Sequence, residues 1–379
     1  MAEYYRSDIR SAYDVVQRQR NPLLYTLDWI FGILSALTFI ALILTLIAPL
    51  VYPSGWLFPI LSLLAPATFV LYLLFTLYWI IRWRWIFVLP MLLLLVVSLF
   101  RLDLYLNLPI ARDHGDRPAG RQVIRMISYN VRQFYGPNGE STLDSIASWL
   151  GHQQAHIVCL QEFTPRREEG GKERFDSLIN GNHLRYYSTQ GDTITTLALY
   201  SRYKILRSGR TQKDMASLRS IWADLVVGDD TLRVYNNHLH TTAITRADDD
   251  FLSRENFLQD TAREQKVRSI VRRFRDNSIA RAAQADSLYR QIEASPYAAF
   301  VVGDFNDTPL SYTYHRLSKG RQDAFCEEGR GYSHTFCGFN NALRIDFLLL
   351  PKAVEVLAYE EYDIPHSDHR PVMTWFKRL

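Results

Sequence analysis

Three uncharged, apolar runs within the first 100 residues constrain this chain most. They cover residues 29–51, 56–81 and 85–100. The first two are long enough to cross a bilayer as helices, and uncharged runs of this length are rare in soluble domains. The third would form a helix of about 24 Å, short for a bilayer core of about 30 Å. We predict a membrane domain over residues 23–110 with three transmembrane helices, the third having a re-entrant or interfacial helix as its alternative.

Basic residues predict the orientation of these helices. Residues 1–22 are polar and carry four arginines, which indicates a retained cytoplasmic tail. Arg82 and Arg84 follow the second run, whereas the loop at 52–55 has no charge. Because the positive side is normally cytoplasmic, three spans would place the rest of the chain outside the membrane and two would leave it inside. We expect an integral protein of the cytoplasmic (inner) membrane with an extracytoplasmic domain.

A linker and a second domain follow the apolar runs. Residues 111–120 combine mixed charges with Pro118 and two glycines, so 121–379 is predicted to be a separate domain. The whole chain has 43 basic and 39 acidic residues, of which the first 100 residues hold six and four, so this domain is nearly neutral. A tight, nonspecific nucleic-acid binder usually shows a strong basic excess. Three cysteines lack metal-site spacing, and only Cys326 and Cys337 could close a loop in an oxidising compartment.

Polar side chains recur where short apolar runs of this domain end. Residues 123–130 and 157–162 are examples, and a hairpin signal at Gly228 joins two further runs. Strand ends of this kind are typical places for site residues on a rigid scaffold. The polar residues at or beside these ends are Asn130, Gln161, Glu162, Asn237, His238, Asp304, Asn306, Asp346, Asp368 and His369.

The segment at 301–309 carries the most specific of these patterns. An apolar run breaks at Gly303 into a turn that presents Asp304 and Asn306 on the same side. A carboxylate and a carboxamide at this spacing suit a site that orients a water and holds an anionic oxygen. The alternative is a strand that ends in an Asx turn.

Taken together, the motifs resemble the endonuclease/exonuclease/phosphatase superfamily, which includes pancreatic deoxyribonuclease, apurinic endonucleases, neutral sphingomyelinases and inositol-polyphosphate phosphatases. The resemblance covers residues 121–379 and none of the apolar runs. It implies an α/β (α+β) fold: a two-sheet, mostly antiparallel β-sandwich flanked by helices. The motifs, in the family's order, are Asn130, Gln161-Glu162, Asn237-His238-Leu239, Gly303-Asp304-Phe305-Asn306, Arg344-Ile345-Asp346 and Ser367-Asp368-His369.

The resemblance implies a metal site. Glu162 is expected to be the main ligand of Mg²⁺, with Mn²⁺ as an alternative, since hard divalent cations prefer carboxylate oxygen. Asp368 is expected to support the metal side. Asn130 is expected to assist at the metal or to bind the scissile phosphate.

It also implies catalytic roles. Asp304 is expected to orient the attacking water and Asn306 to hold a nonbridging oxygen. His369, aligned by Asp346, is expected to transfer a proton or stabilise the transition state, and His238 to donate to the phosphate or the leaving oxygen.

Some assignments keep a rival explanation. The family places its histidine directly before a leucine, which favours His238 over His240. Asn237 and Arg202 are expected to bind substrate, although a surface turn explains Arg202 nearly as well.

We therefore expect a membrane-anchored, metal-dependent phosphoesterase in which water attacks phosphorus directly. A lipid headgroup, a nucleic acid or a small phosphoester could be the substrate, the membrane bilayer is a partner, and no protein partner is predicted. The alternatives are an extracytoplasmic endonuclease or exonuclease on DNA or RNA, and a noncatalytic membrane protein that binds a phosphorylated ligand. Specificity would lie in loops such as 166–182 and 241–256.

Overall fold

The structure of this protein is a computed structural model. The predicted tail and linker lie outside the described residues, apart from Pro22 and Gly120, and so does much of the two predicted specificity loops. Two compact units are present, one formed by 22–44 with 67–97 and one by 45–66 with 98–378. The residues described are 22–108, 120, 122–136, 138–166, 170–179, 184, 186–191, 196–211, 220–242, 251, 263–338 and 341–378.

Apolar helices make up the first unit and the segment that follows its first helix. They are α1 (Pro22–Ile47), α2 (Leu57–Leu63), α3 (Ala65–Ile81) and α4 (Trp85–Leu99). Within the described residues, Leu23–Leu50 is the one continuous helix long and apolar enough to cross a membrane, while α2 and α3 pass that test only as a broken pair. With 15 residues, α4 is shorter than such a span. The number of spans therefore stays a prediction.

Strands dominate the second unit. In chain order they are β1 (Leu106–Asn107), β2 (Ile124–Asn130), β3 (Ile157–Gln161), β4 (Tyr186–Gly191), β5 (Thr196–Ser201), β6 (Lys204–Arg210), β7 (Ser220–Val227), β8 (Asp230–His238), β9 (Ala298–Asp304), β10 (Arg321–Asp323), β11 (Gly331–Tyr332), β12 (Asp346–Pro351), β13 (Val354–Glu361) and β14 (Val372–Arg378). Its further helices are α5 (Leu143–Gln153), α6 (Gly171–Ile179), α7 (Arg263–Glu293), α8 (Tyr312–Ser318) and α9 (Ala324–Glu328).

Two six-stranded sheets arise from these strands in the described part of the chain. Their orders are β10-β12-β9-β8-β7-β6 and β13-β14-β2-β3-β5-β4. Pairing is antiparallel except between β2 and β3 and between β8 and β9. The mostly antiparallel two-sheet sandwich flanked by helices is thus confirmed.

Strand register explains why the polar strand ends meet. The parallel neighbours end at the same edge of their sheet, so Asn130 lies opposite Gln161 and His238 lies opposite Asp304. Antiparallel β12 begins where β9 ends, and this places Asp346 opposite Asp304. Residues far apart in sequence are thereby brought to one edge of the sandwich.

An apolar core fills the space between the sheets, with residues such as Met126, Leu199, Val234 and Phe300 contributed from both. A buried polar link crosses this core below the site edge: Gln161 donates to the Asn236 side chain over 2.7 Å and to the Ser128 hydroxyl over 3.1 Å. Buried polar groups need partners, so this link fixes the two sheets relative to each other. A second apolar core packs α5 and α6 against the outer face of the sheet that contains β2.

Sequence patterns located most of these elements. The predicted hairpin is β7 and β8. The patterns did not predict β1, β4, β6, β10, β11 or β13. The three cysteines, all of them described, are free thiols, so Cys326 and Cys337 form no disulfide here.

Candidate active site

A cleft of about 380 Å³ opens at the edge where the polar strand ends meet. Six predicted site residues line it together with Arg132, and one wall is apolar. The polar lining includes Arg132, Glu162, His238, Asp304, Asn306, Asp307, Asp368 and His369, and the apolar wall consists of Leu63, Phe274, Phe336, Leu343 and Ile345.

Asp304 lies at the centre of the polar lining and is fully buried. Its Oδ1 accepts a hydrogen bond from the Asn306 backbone over 2.8 Å, and its Oδ2 accepts one from the Asn130 carboxamide over 3.1 Å. Gly303 has φ +123°, and a Cβ there would overlap the backbone of Asn237. The turn that aims Asp304 into the cleft therefore depends on glycine.

Two histidines face Asp304. The Nε2 atoms of His238 and His369 lie 3.6 Å and 3.8 Å from its Oδ2. Burial raises the pKa of Asp304, while the charges of His369 and His238 oppose that rise. This carboxylate is suited to accept a proton from a bound water.

His369 is held by Asp346. Its Nδ1 lies 3.0 Å from Asp346 Oδ2, and the Asp346 backbone amide donates to Thr335 Oγ1, also over 3.0 Å. Burial alone would lower the pKa of His369, but the carboxylates of Asp346 and Asp304 outweigh it and raise the pKa well above its ordinary value. These two carboxylates favour the charged form of His369, whose Nε2 lies on the side of Asp304 in the cleft.

Glu162 is the second carboxylate of the polar lining. It follows β3 with φ 52°, an uncommon backbone conformation for a non-glycine residue and one that clusters at functional sites. Its Oε1 lies 3.3 Å from the Asn130 amide nitrogen and 3.6 Å from His238 Nε2. Since Asp304 Oδ2 shares both of these neighbours, the two carboxylate oxygens converge on one place in the cleft.

These residues fit a hard divalent cation. The converging carboxylates of Glu162 and Asp304 offer the oxygen ligands that Mg²⁺ and Mn²⁺ prefer, and their combined charge in a buried cleft calls for neutralisation. One possible ligand atom from each of Asp304, Asp346 and His369 also lies within 4.8 Å of the other two. That second group is already compensated, because His369 Nδ1 is bonded to Asp346, so Glu162 is the better anchor for a metal.

Sequence comparison identifies the family to which this cleft belongs. The family model of the endonuclease/exonuclease/phosphatase family matches residues 127–369, which contain every predicted site residue. The chain belongs to this family. Its members are metal-dependent phosphoester hydrolases, and so is this protein.

Solved structures of the family resemble this chain at low sequence identity, and no curated protein matches the sequence. An endonuclease/exonuclease/phosphatase protein from Bacteroides vulgatus is 17% identical, with a TM-score of 0.48 over 68% of this chain and 100% of that one. A humanized D. rerio TDP2 is 16% identical, with a TM-score of 0.45 over 68% and 99%. An AP endonuclease from Archaeoglobus fulgidus is 13% identical, with a TM-score of 0.46 over 66% and 98%.

The three residues predicted to bind substrate are not among the cleft-lining residues, although Asn130 contacts Glu162 and Asp304. The buried Asn237 carboxamide donates to the Tyr235 and Val302 carbonyls and so supports β8 and β9. Arg202 follows β5, whose end pairs with the start of β3, whereas Glu162 follows the other end of β3. About 15 Å of strand separates those ends, and Arg202 instead bonds Gln154 over 3.0 Å. A role of either residue in substrate binding stays a prediction.

His238 rather than His240 faces the cleft. His240 Nε2 lies 2.9 Å from the side-chain oxygen of Asn277 on α7, and the His240 backbone amide donates to Gln284 on the same helix. His240 therefore attaches the chain to α7. This arrangement supports the choice that the sequence motif favoured.

Among the residues of the site that were not predicted from the sequence are Arg132, Thr335 and Leu63. Arg132, at φ 47°, lies 3.2 Å from Asp368 through its Nε and so engages a residue expected to support the metal. Thr335 accepts from the backbone amides of Ile345 and Asp346 and fixes the start of β12. Leu63 comes from α2, outside the family match. The position of Arg132 two residues after Asn130 was a usable signal, but nothing in the sequence marked Leu63 or Thr335.

Proposed function

We propose that this protein is a membrane-anchored, Mg²⁺-dependent phosphoesterase that acts on a lipid headgroup or another extracytoplasmic phosphoester by direct attack of water on phosphorus. One observation carries the proposal: buried Asp304 faces the same cavity as Glu162, His238 and His369. This arrangement supplies a base, a cation and a metal ligand around one volume large enough for a phosphoryl group.

Each residue has a role in the proposed hydrolysis. Asp304 orients the attacking water and takes its proton, because the carboxylate is fixed by Asn306 and Asn130. His369 stabilises the charge that develops on the phosphoryl oxygens, and His238 donates to the leaving oxygen.

Asn306 supports the same step. Its Nδ2 donates to the Leu239 carbonyl over 3.2 Å, and the second N–H of the amide remains for a nonbridging oxygen. Glu162 would hold the Mg²⁺ with help from Asn130, and the bound ion would offset negative charge on the phosphate. Asp368 supports that side through Arg132.

Packing of the loop between α1 and α3 supports an extracytoplasmic active site. Residues 45–66 belong to the same compact unit as the two sheets, and Ser62 donates to the Leu310 carbonyl over 2.7 Å. That loop and the catalytic domain then lie on one side of the membrane. The chain between them leaves that side through α3 and returns through α4, with Arg82 and Arg84 on the positive, cytoplasmic side.

Labelling of Cys337 tests this topology. Cys337 is an exposed free thiol in the catalytic domain, Cys326 is half-buried and Cys159 is buried. In right-side-out vesicles, a membrane-impermeant maleimide is expected to label the Cys326→Ser variant of the full chain and to leave the Cys326→Ser/Cys337→Ser variant unlabelled. Labelling only in inverted vesicles would contradict the extracytoplasmic placement.

A substrate panel tests the activity itself. The full chain in lipid nanodiscs is incubated with phospholipids, plasmid DNA, RNA and small phosphoesters, with Mg²⁺ or with chelator, alongside Glu162→Gln. We expect chelator-sensitive release from the phospholipids. Preferential cleavage of DNA or RNA would favour a nuclease, and binding without hydrolysis of any phosphoester would contradict the proposal.

A further inference from the structure

The short helix α2 contributes a wall of the catalytic cleft. Leu63, at its end, lines the same cavity as Glu162, Asp304 and His369. This helix lies between the first two apolar runs and outside the region matched by the family model. The cleft is therefore completed by a segment that the catalytic fold itself does not supply.

Buried hydrogen bonds fasten α2 beside the reacting residues. Ser62 Oγ donates to the Leu310 carbonyl over 2.7 Å, and Thr308 Oγ1 donates to the Ser62 carbonyl over 3.0 Å. Thr308 follows Asn306 by two residues, so the position of Leu63 is tied to the turn that carries Asp304. Tyr52 adds an edge-to-face contact with Tyr312, at 5.3 Å between ring centres.

Apolar side chains line part of the cleft together with Leu63. They include Phe274, Phe336 and Leu343, and the ring of Phe336 lies 5.1 Å from the ring of His369 between centres. A phosphate head needs the charged lining alone. The apolar wall suits a substrate whose phosphate is attached to a hydrocarbon group.

The other side of α2 and its flanks is exposed and apolar. Trp56 is 52% exposed, Leu57 39% and Leu64 49%, although all three are large hydrophobic residues. Exposed apolar surface of this kind on a catalytic unit typically contacts a membrane or a partner. Leu64 joins α2 to the apolar helix α3 at a bend of 72°, and since α3 is predicted to lie in the membrane, we assign the bilayer to this apolar surface.

We propose that residues 56–64, here named the access segment, guide a lipid phosphoester from the bilayer into the cleft. The phosphate enters the charged lining while the acyl or isoprenoid chain runs along Leu63 and the exposed apolar residues toward the membrane. The inference rests on the proposed phosphoesterase function and names its substrate class. Soluble phosphoesters and nucleic acids lack the chain that this segment contacts.

Matched substrates test the access segment in the full chain in nanodiscs. Phosphatidic acid, phosphatidylglycerol and phosphatidylinositol 4-phosphate are each compared as the membrane-borne dioleoyl form and the soluble dihexanoyl form. For wild type we expect the dioleoyl form to have the higher kcat/KM. Leu63→Asp is expected to lower the dioleoyl-to-dihexanoyl ratio of kcat/KM by about tenfold, because a charge replaces an apolar contact with the chain.

Leu206→Asp is the matched control. Leu206 is an exposed leucine on β6, 49% accessible, and it does not line the cleft among the described residues. The ratio is expected to stay at the wild-type value. If Leu63→Asp does not fold, Leu63→Ala repeats the comparison with a smaller decrease expected.

A measurement without turnover complements the kinetics. The photoreactive p-benzoylphenylalanine replaces Leu57 or Leu206 in nanodiscs, and lipid adducts are detected by mass spectrometry. We expect lipid adducts at 57 and none at 206; adducts at neither position would overturn the proposal.

The outcomes separate the two proposals. Equal rates on both chain lengths, or an unchanged ratio in Leu63→Asp and Leu63→Ala, would overturn the access segment and leave the phosphoesterase standing. A wild-type protein inert toward every phosphoester with Mg²⁺ would contradict the proposed function, and the access segment would fall with it.

Discussion

The charged side of the cleft consists of strand ends within one fold, whereas the apolar side includes a helix from between two apolar runs. Asp304 and Asp346 lie opposite each other in the β9–β12 register, and His369 is bonded to Asp346. Leu63 reaches the same cavity through α2, held by two hydrogen bonds. The family fold thus provides the proposed catalytic residues, whereas α2, outside the family match, provides the proposed path for the substrate.

Asp304→Asn should reduce activity more than any other substitution on the charged side of the cleft. The substitution keeps the size of the side chain but removes the base, so kcat should fall by about 10³-fold, within the range for general-base residues. Phosphate release by the full chain with Mg²⁺ measures it. Asp286→Asn is the control, because Asp286 bonds Tyr312 and Arg316 outside the cleft lining. Near wild-type activity in Asp304→Asn would contradict the assigned role.

Glu162→Gln should have the next largest effect. Loss of the carboxylate weakens the proposed Mg²⁺ site, so the metal concentration for half-maximal activity should rise and activity should fall by about 10²-fold. A Mg²⁺ titration of activity measures both quantities. Asp368→Asn should raise the half-saturating concentration less, since Asp368 is paired with Arg132. A larger increase in Asp368→Asn than in Glu162→Gln would indicate that Asp368 is the main metal ligand.

Asp346→Asn should reduce activity about tenfold and change its pH dependence. The Asp346 carboxylate helps to raise the pKa of His369, so its removal should lower that pKa and shift the alkaline limb of the pH–rate profile to lower pH. The ion pair of His369 with Asp346 contributes its full stability below the pKa of His369 in the unfolded chain, about 6.5. That contribution is lost as the pH rises through the raised pKa of His369 in the folded protein. The stability difference between variant and wild type should accordingly shrink at alkaline pH. If the alkaline limb of the pH–rate profile stays at the wild-type pH, the ionisation of His369 does not control the rate.

Ser62→Ala should have the smallest effect. It removes the hydrogen bond to Leu310 and leaves a buried carbonyl without that donor, at a cost of about 1 kcal/mol in unfolding free energy. Denaturant unfolding in detergent measures the change. Ser177→Ala is the control, because Ser177 makes an exposed bond to the Arg174 carbonyl. An equal loss in both variants would show that α2 is not specifically fastened.

The sequence predicted the charged side far better than the apolar side. Asp304, Asp346 and His369 each adjoin an apolar strand, and a shared sheet edge brings such ends together. The roles proposed for them come from a family pattern that is local in sequence. Leu63 is apolar in an apolar run, and its contact with the cleft depends on hydrogen bonds that span more than 240 residues. No periodicity or motif encodes such a contact.

Two residues match sequence patterns but do not line the cleft, and they show where prediction from sequence ends. Arg202 was expected to bind substrate, but the antiparallel pairing of β5 with β3 places it at the far end of the strand from Glu162. Asn237 fits a motif, yet its side chain serves the strand ladder. Motifs locate strands, and only register decides which end of a strand meets the cleft.

Hydrolysis in H₂¹⁸O tests the central claim most directly. The full chain in nanodiscs is supplied with Mg²⁺ and the preferred phosphoester, and the products are analysed by mass spectrometry, with Asp304→Asn in parallel. Direct attack of a water oriented by Asp304 predicts one ¹⁸O in the phosphoryl product, none in the alcohol, and almost no product from the variant. Label in the alcohol, or equal product from Asp304→Asn, would contradict the account.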